Sequence, residues 1–180
     1  MLWFNNVFIT LSFWDFMFSQ IDENFMRIAM NEAYNCYSRG DLSVGAVLTI
    51  NNNLEGISGN SSRTNGDWTS HAENSLLHKV SWKIKQSPRG AISKLYTTWE
   101  PCLMCTGAAI LSRVNEIIYA CPDPLGGMSK VDKSILGTWN ARHWPIFREG
   151  PFREESYDLL KKYMEENSVI WGDFLRDFHI

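Results

Sequence analysis

Two short motifs constrain the fold of this chain more than any other feature of its 180 residues. The first, at residues 71–73, reads His-Ala-Glu, and the second, at residues 101–105, reads Pro-Cys-Leu-Met-Cys. Each stands just before a stretch with the apolar spacing of a helix, and a strand-like stretch precedes the second. The sequence therefore predicts two helix starts that carry metal-binding side chains.

The residue types in these motifs are those of a catalytic zinc site. Cys102 and Cys105 are three apart, so they project to the same side of a first helical turn, where the helix dipole favours thiolates. His71 supplies a third ligand, and three protein ligands leave one zinc position for water. Zinc lowers the pKa of that water, and Glu73 is placed to move its protons.

Two other interpretations of the same residues compete with catalytic zinc. A Cys-x-x-Cys pair is also found in thioredoxin-like redox proteins. A structural zinc site would need a fourth protein ligand, for which the candidates are Cys36, His78, Cys121 and His143. We favour the catalytic interpretation because His-x-Glu followed by Pro-Cys-x-x-Cys is the signature of zinc deaminases.

The pattern along the chain predicts a layered α/β domain with a mixed sheet, because strands alternate with helices after an opening hairpin. Asp22 is the expected N-cap of the first helix. Helices are expected at 22–39, from 71, at 102–113 with Pro101 in the first turn, and at 154–167; strands are expected at 44–50, 54–59, 94–99 and 116–120.

The termini are expected to be additions to one domain at residues 22–180. Residues 1–21 form an apolar and aromatic extension, too short and too interrupted for a membrane span, which we expect to cover the core or a partner. An upstream start codon is the alternative explanation. A helical extension is expected from about residue 125, and the location is expected to be cytoplasmic because neither a signal peptide nor a span is recognisable.

Three stretches resemble the cytidine deaminase superfamily. They are Val-Gly-Ala-Val at 44–47, His-Ala-Glu-Asn at 71–74 and the segment 100–113, and the likeness covers about residues 22–124. The similarity is to the branch that contains bacterial tRNA adenosine deaminase, guanine deaminase and fungal cytosine deaminase. It implies an α/β/α sandwich around a five-stranded sheet, one zinc ion per chain, and a homodimer or larger assembly.

The same resemblance implies roles for individual residues. Zinc would lie on His71, Cys102 and Cys105, with Glu73 as the proton shuttle. Substrate contacts would come from the Asn60 side chain, the backbone N–H of Ala72, Asp123 near a ribose, and a C-terminal aromatic cap drawn from Trp171, Phe174 or Phe178.

Charge decides our prediction of the substrate. The net charge is −3, the helix at 154–167 is acidic, and the sequence has no evident basic stripe of the kind that binds phosphates. We therefore predict a deaminase of a small nucleobase or nucleoside, such as guanine, guanosine or cytosine, with nucleic acid possible but disfavoured. The alternatives are a tRNA adenosine deaminase and, from a different class, a non-catalytic partner subunit stabilised by zinc.

Overall fold

The computed structural model describes residues 18–180, so most of the predicted N-terminal extension lies outside the described residues. Five strands form one sheet: β1 Gly45–Ile50, β2 Asn53–Gly59, β3 Ser93–Trp99, β4 Glu116–Cys121 and β5 Ile146–Glu149. The helices within 18–180 are α1 Gln20–Ser38, α2 Ser62–Asn65, α3 Ala72–Gln86, α4 Leu103–Ser112, α5 Thr138–Arg142, α6 Arg153–Glu166 and α7 Ser168–Asp177.

The sheet is mixed, with the strand order β2-β1-β3-β4-β5. The pair β1–β2 is the expected hairpin, and β1 also runs antiparallel to β3. From β3 onward the strands are parallel, with β4 beside β3 and β5 beside β4. The parallel half matters for function because a helix follows β3 directly and starts at the edge of the sheet where β3 ends.

Helices cover both faces of the sheet, and alternate strand residues divide between them. Val47, Tyr96 and Ile118 pack in a cluster with Met26 and Ala29 of α1. Their neighbours Ala46, Leu48, Leu95 and Ile117 pack instead with residues of α3 and α4, including Leu76, Leu77 and Ala109. This alternation follows from the two-residue period of a strand. The predicted α/β/α layering around a mixed five-stranded sheet is confirmed.

Gly45 at the start of β1 allows α1 to lie close to the sheet. A Cβ atom at this position would collide with the backbone carbonyl oxygen of Ala29 in α1. The glycine of the Val-Gly-Ala-Val stretch is therefore required by the contact between a helix backbone and a strand backbone.

Several expected element positions are wrong in detail. Ser19, not Asp22, is the N-cap of α1, and its side chain accepts a hydrogen bond from the Asp22 N–H. Pro101 precedes the N-cap of α4, which is Cys102, so the proline lies just outside the first turn. β5 falls inside the region that we expected to be a helical extension. No helix within residues 18–180 is both long and apolar enough to cross a membrane.

Asp22 joins the first helix to the sheet. Its buried carboxylate accepts hydrogen bonds from Tyr96 Oη of β3 at 2.8 Å and from Arg148 Nη2 of β5 at 2.9 Å. Arg148 also donates through Nε to Glu116 of β4 at 2.9 Å. Burial disfavours the charged form of Asp22, but these hydrogen bonds outweigh it and lower the pKa of the carboxyl.

We expect Asp22→Asn to reduce the free energy of unfolding at pH 7 by about 1–3 kcal/mol, because the buried Tyr96 hydroxyl and the partly exposed Arg148 guanidinium lose a charged acceptor. The lowered pKa means that the carboxylate stabilises the fold above its unfolded-state pKa and that this stabilisation is lost as pH falls through the folded-state pKa. Urea unfolding at several pH values measures both effects.

Asp173→Asn is the matched control, because Asp173 pairs with Arg176 on an exposed helix surface. We expect it to change stability little at any pH. An Asp22 variant as stable as wild type at pH 7 would contradict the role assigned to this carboxylate.

Candidate metal and active site

The two sequence motifs meet at the starts of neighbouring helices. His71 is the N-cap of α3 and Cys102 is the N-cap of α4, and Cys105 follows in the first turn of α4. The two helices pack against each other on one face of the sheet. Each N-cap has extended backbone angles and makes no capping hydrogen bond through its side chain, so the His71 imidazole and the Cys102 thiol are not used for capping. The ends of two helix dipoles therefore point at one place.

The three predicted ligands form a group of a size that fits one metal ion. His71 Nδ1 lies 3.6 Å from Cys102 Sγ and 3.6 Å from Cys105 Sγ. All three donor atoms lie within 4.8 Å of one another. Tetrahedral zinc with ordinary bond lengths requires an N–S separation of about 3.6 Å. One imidazole and two thiols at this spacing are a zinc-binding donor set, and the zinc prediction is confirmed.

The protonation of the donors also suits a cation. The hydrogen bond from Cys105, with further help from His71, lowers the pKa of the Cys102 thiol to about 4. The same hydrogen bond raises the pKa of Cys105. The contact with Cys102 raises the pKa of His71, although burial opposes this. These shifts favour a thiolate at Cys102, the form that binds zinc.

Glu73 lies beside the donors in the first turn of α3. Its side chain is buried, Oε1 accepts a hydrogen bond from Thr97 Oγ1 of β3 at 2.9 Å, and Oε2 lies 3.5 Å from Cys105 Sγ. Burial raises the pKa of this carboxyl group. A carboxyl group held by a strand hydroxyl, next to the ligands but outside their group, matches what a proton shuttle needs. Its catalytic role remains a prediction.

The four candidates for a structural fourth ligand do not join the site. Within residues 18–180 the metal-binding group contains only His71, Cys102 and Cys105. Cys36 donates to Val44 O, Cys121 donates to Pro122 O, His143 contacts Trp139 O, and His78 is exposed on α3. A three-ligand set leaves one zinc position free of protein, as catalytic sites do.

Asn60 and Ala72, the expected ring contacts, lie at the ends of elements that surround the site. Asn60 follows β2 and is buried; its Oδ1 accepts hydrogen bonds from Ser62 N at 3.0 Å and Ser62 Oγ at 2.9 Å. Within residues 18–180 the Asn60 amide nitrogen has no hydrogen-bond acceptor. Ala72 is the first residue of α3, so its N–H has no partner within the helix. Both groups offer donors, and their substrate contacts remain predictions.

Asp123 is already engaged in its own loop. Its Oδ1 accepts hydrogen bonds from the N–H groups of Leu125 and Gly126, each at 3.0 Å. Burial raises the pKa of this carboxyl group. Glu100 holds the same loop, accepting from Asp123 N at 2.9 Å and from Ser129 N at 2.7 Å. These bonds give Asp123 a structural role in the turn, and contact with a ribose remains a prediction.

Trp171 and Phe174 belong to an aromatic cluster on α7. Phe174 packs edge-on against Trp99 with ring centroids 5.7 Å apart and against Trp171 at 5.6 Å, and Phe178 also contacts Trp99. Trp99 is the last residue of β3, three positions before Cys102. The cluster therefore packs beside the start of α4, while a role as a cap over substrate is untested.

Sequence reasoning missed three residues that support the site: Thr97, Trp99 and Glu100. Thr97 and Trp99 lie at the end of β3, and Glu100 follows β3 directly before the cysteine motif. Thr97 donates a hydrogen bond to Glu73, and Trp99 packs against the aromatic cluster of α7. Glu100 accepts a hydrogen bond from the loop after β4. Their position at the carboxyl end of a central strand was the available signal, because such ends commonly border sites.

We expect Cys102→Ala to lose bound zinc and to unfold at lower temperature, since metal binding is coupled to folding. Cys121→Ala is the control, because Cys121 is a buried free cysteine outside the donor group. Elemental analysis of the purified proteins should give one zinc per chain for wild type and the control. Equal zinc in the Cys102 variant would refute the ligand assignment.

Comparison with known proteins identifies related sequences. Residues 19–121 match the cytidine and deoxycytidylate deaminase zinc-binding region. The tRNA-specific adenosine deaminase of Bacillus subtilis is 31% identical over 150 residues, covering 81% of this chain and 89% of its own. That of Haemophilus influenzae is 38% identical over 149 residues, covering 82% of this chain and 86% of the relative. That of Agrobacterium fabrum is 30% identical over 146 residues, covering 81% of this chain and 95% of the relative.

Solved structures share the fold. A structure from work on A-to-I editing by tRNA:A34 deaminases superposes with a TM-score of 0.66 at 29% identity, covering 77% of this chain and 99% of that one. Guanine deaminase from Nitrosomonas europaea superposes with a TM-score of 0.62 at 19% identity, covering 82% of this chain and 85% of that one. Together with the three-donor site, these matches show that the chain belongs to the zinc-binding cytidine and deoxycytidylate deaminase family of hydrolytic deaminases.

Proposed function

We propose that this protein deaminates adenosine to inosine in a tRNA. The proposal rests on three relatives that are tRNA-specific adenosine deaminases. They are 30–38% identical to this chain, and the match covers 86–95% of each relative's length. The guanine deaminase of Nitrosomonas europaea, at 19% identity, supports the fold alone. Our preferred substrate therefore changes from a free base to the alternative, a tRNA.

The distribution of charge weakens the main objection to a nucleic acid substrate. Two acidic residues of α6 contact α1: Glu155 pairs with Arg27 at 2.6 Å, and Glu166 accepts from Tyr37 at 2.7 Å. Glu165 lies 3.9 Å from Lys161 on α6 itself. Since α1 and α3–α4 lie on opposite faces of the sheet, Glu155 and Glu166 point to α1 rather than to the helices that carry the zinc donors.

The site residues divide the proposed reaction among them. Zinc, when bound at the three donors, lowers the pKa of water so that it reacts near neutral pH. Glu73 takes a proton from the attacking water at Oε2 and delivers protons to the ring nitrogen and to the departing amine, so that adenosine and water give inosine and ammonia. Thr97 keeps the carboxyl group in place through its 2.9 Å hydrogen bond to Oε1.

The substrate base would be held by hydrogen-bond donors at the ends of a strand and a helix. The Ala72 N–H, at the start of α3, is free to donate to a ring acceptor. The Asn60 amide nitrogen supplies a second donor from the end of β2. Asn60 and Ala72 are both buried residues, and their two donors would favour a base that accepts at both places.

We also propose that two copies of the chain associate through the outer face of α3 and α4. This face exposes Trp82 to 54%, Leu103 to 67% and Leu111 to 72%. A groove between the two helices is lined by Trp82, Ile84 and Leu111 together with polar residues. Large apolar side chains exposed on adjoining helices are typical of an interface, and a homodimer is what the resemblance implies.

We expect the zinc-loaded protein to form inosine in its cognate tRNA transcript, and we expect Glu73→Gln to retain zinc and fold while slowing turnover by about 10²–10⁴-fold. Glu165→Gln is the control, an exposed carboxylate on α6. Inosine content of the RNA and ammonia release from free bases and nucleosides are measured side by side.

Ammonia release from guanine, cytosine or a nucleoside, with every tRNA left unchanged, would overturn the tRNA proposal and restore the small-substrate hypothesis. Near-wild-type turnover in the Glu73 variant would instead reject the shuttle role. A zinc-loaded chain inactive on both substrate classes would support the non-catalytic subunit.

We expect Leu111→Asp to shift the protein from dimer to monomer in analytical ultracentrifugation, because a carboxylate would lose hydration in the interface. Val169→Asp is the control, since Val169 is fully exposed on α7. A monomeric wild-type protein, or a dimer unaffected by the Leu111 substitution, would contradict the proposed interface.

A further inference from the structure

Trp68 is a large aromatic side chain left in solvent close to the zinc donors. It is 78% exposed, more than Trp82 and Trp139, the other tryptophans of residues 18–180 with mainly exposed side chains. It precedes His71 by three residues, so their Cα atoms are at most about 11 Å apart. An indole this exposed contributes little to the core, so packing within the chain does not explain its presence.

The backbone around Trp68 is held rigidly. Asp67 accepts hydrogen bonds from Thr69 N at 2.9 Å, Thr69 Oγ1 at 2.8 Å and Ser70 Oγ at 3.0 Å. Asn74 Nδ2, from α3, donates to Thr69 O at 3.0 Å. Ser61 N donates to Ser70 O at 3.0 Å, which ties the turn to the segment after β2. The indole is thus presented from a fixed turn and loses little backbone entropy when it binds.

We infer that Trp68 stacks against a base that flanks the target adenosine in single-stranded RNA; this inference rests on the proposed function. A base that reacts at the site must leave its stack, and its neighbours are then unstacked at the rim. Aromatic side chains take up such bases because every base has a π face. The turn that carries Trp68 leads into His71, a zinc ligand, and would place the indole within reach of a neighbouring nucleotide.

The absence of cationic side chains between residues 64 and 70 agrees with stacking as the source of affinity. Between residues 64 and 70 the only ionisable side chain is Asp67, and its oxygens are engaged by Thr69 and Ser70. Phosphate attraction at this position is therefore small, and contact with the base face remains. Trp68 would act as a positioning residue that sets the target in register with the zinc donors.

The test compares the zinc-loaded wild-type chain with Trp68→Ala and Trp68→Phe on an RNA stem-loop that contains the target adenosine. We expect Trp68→Ala to lower kcat/KM about five- to a hundredfold, mainly through a higher KM, and Trp68→Phe to keep most of the activity. Trp139→Ala is the matched control: Trp139 lies on α5, which precedes the start of β5 at the opposite end of the sheet from Cys102. It should match wild type.

Abasic substrates separate stacking from a general defect. An abasic residue on the stacked side of the target should lower the wild-type rate, and Trp68→Ala should then lower it no further, because the contact is already gone. Zinc content, melting temperature and dimer mass should not change in the variant.

Unchanged kinetics in Trp68→Ala would overturn the inference. So would a loss from Trp68→Ala that persists in full on a substrate abasic 5′ of the target and on one abasic 3′ of it. A monomeric Trp68 variant would also overturn it and place the indole in a protein interface. A wild-type protein that edits no RNA would refute the proposed function, whereas wild-type editing without a Trp68 effect refutes this inference alone.

Discussion

The meeting of two helix N-termini at three donor atoms is the constraint on which the rest of the structure depends. A histidine and two cysteines can reach one ion only if α3 and α4 start side by side. The sheet provides this arrangement because β3 leads directly into α4, while β1 and β2 support α3. The same helix starts that favour a thiolate also leave first-turn N–H groups without partners in the helix. Under the proposed function, ligand chemistry and substrate orientation would share this one structural cause.

The sequence predicted much of the fold because two local signals are strong. The alternation of stretches rich in β-branched residues with stretches of helical spacing predicted β1 to β4, α3, α4 and α6. The predicted ends of these elements differ from the observed ends by one or two residues. β5 was missed because it has four residues, Ile-Phe-Arg-Glu, and its place depends on pairing with β4 rather than on local pattern. α2 and α5 are equally short, with four and five residues.

The donor set could be read from the sequence because the ligand types and spacing are specific to one metal geometry. The contacts that support the donor set could not be read from the sequence. Thr97 reaches Glu73 across 24 positions of the chain, and Glu155 reaches Arg27 across 128. Net charge favoured a small substrate over a tRNA, but a charge total does not reveal that Glu155 of α6 is paired with Arg27 of α1. Only the folded arrangement separates a neutralised carboxylate from one that would repel a phosphate.

The ion pair between the first helix and the last strand has a consequence for where the domain can be cut. The family match ends at residue 121, with β4, and β5 lies beyond it. A shortened chain ending there would expose the backbone edge of a central parallel strand, which invites pairing with other molecules. It would also leave the Asp22 carboxylate without Arg148, its cationic partner. The smallest autonomous unit therefore extends past the region that carries the chemistry, and fragments trimmed to that region would be prone to aggregation.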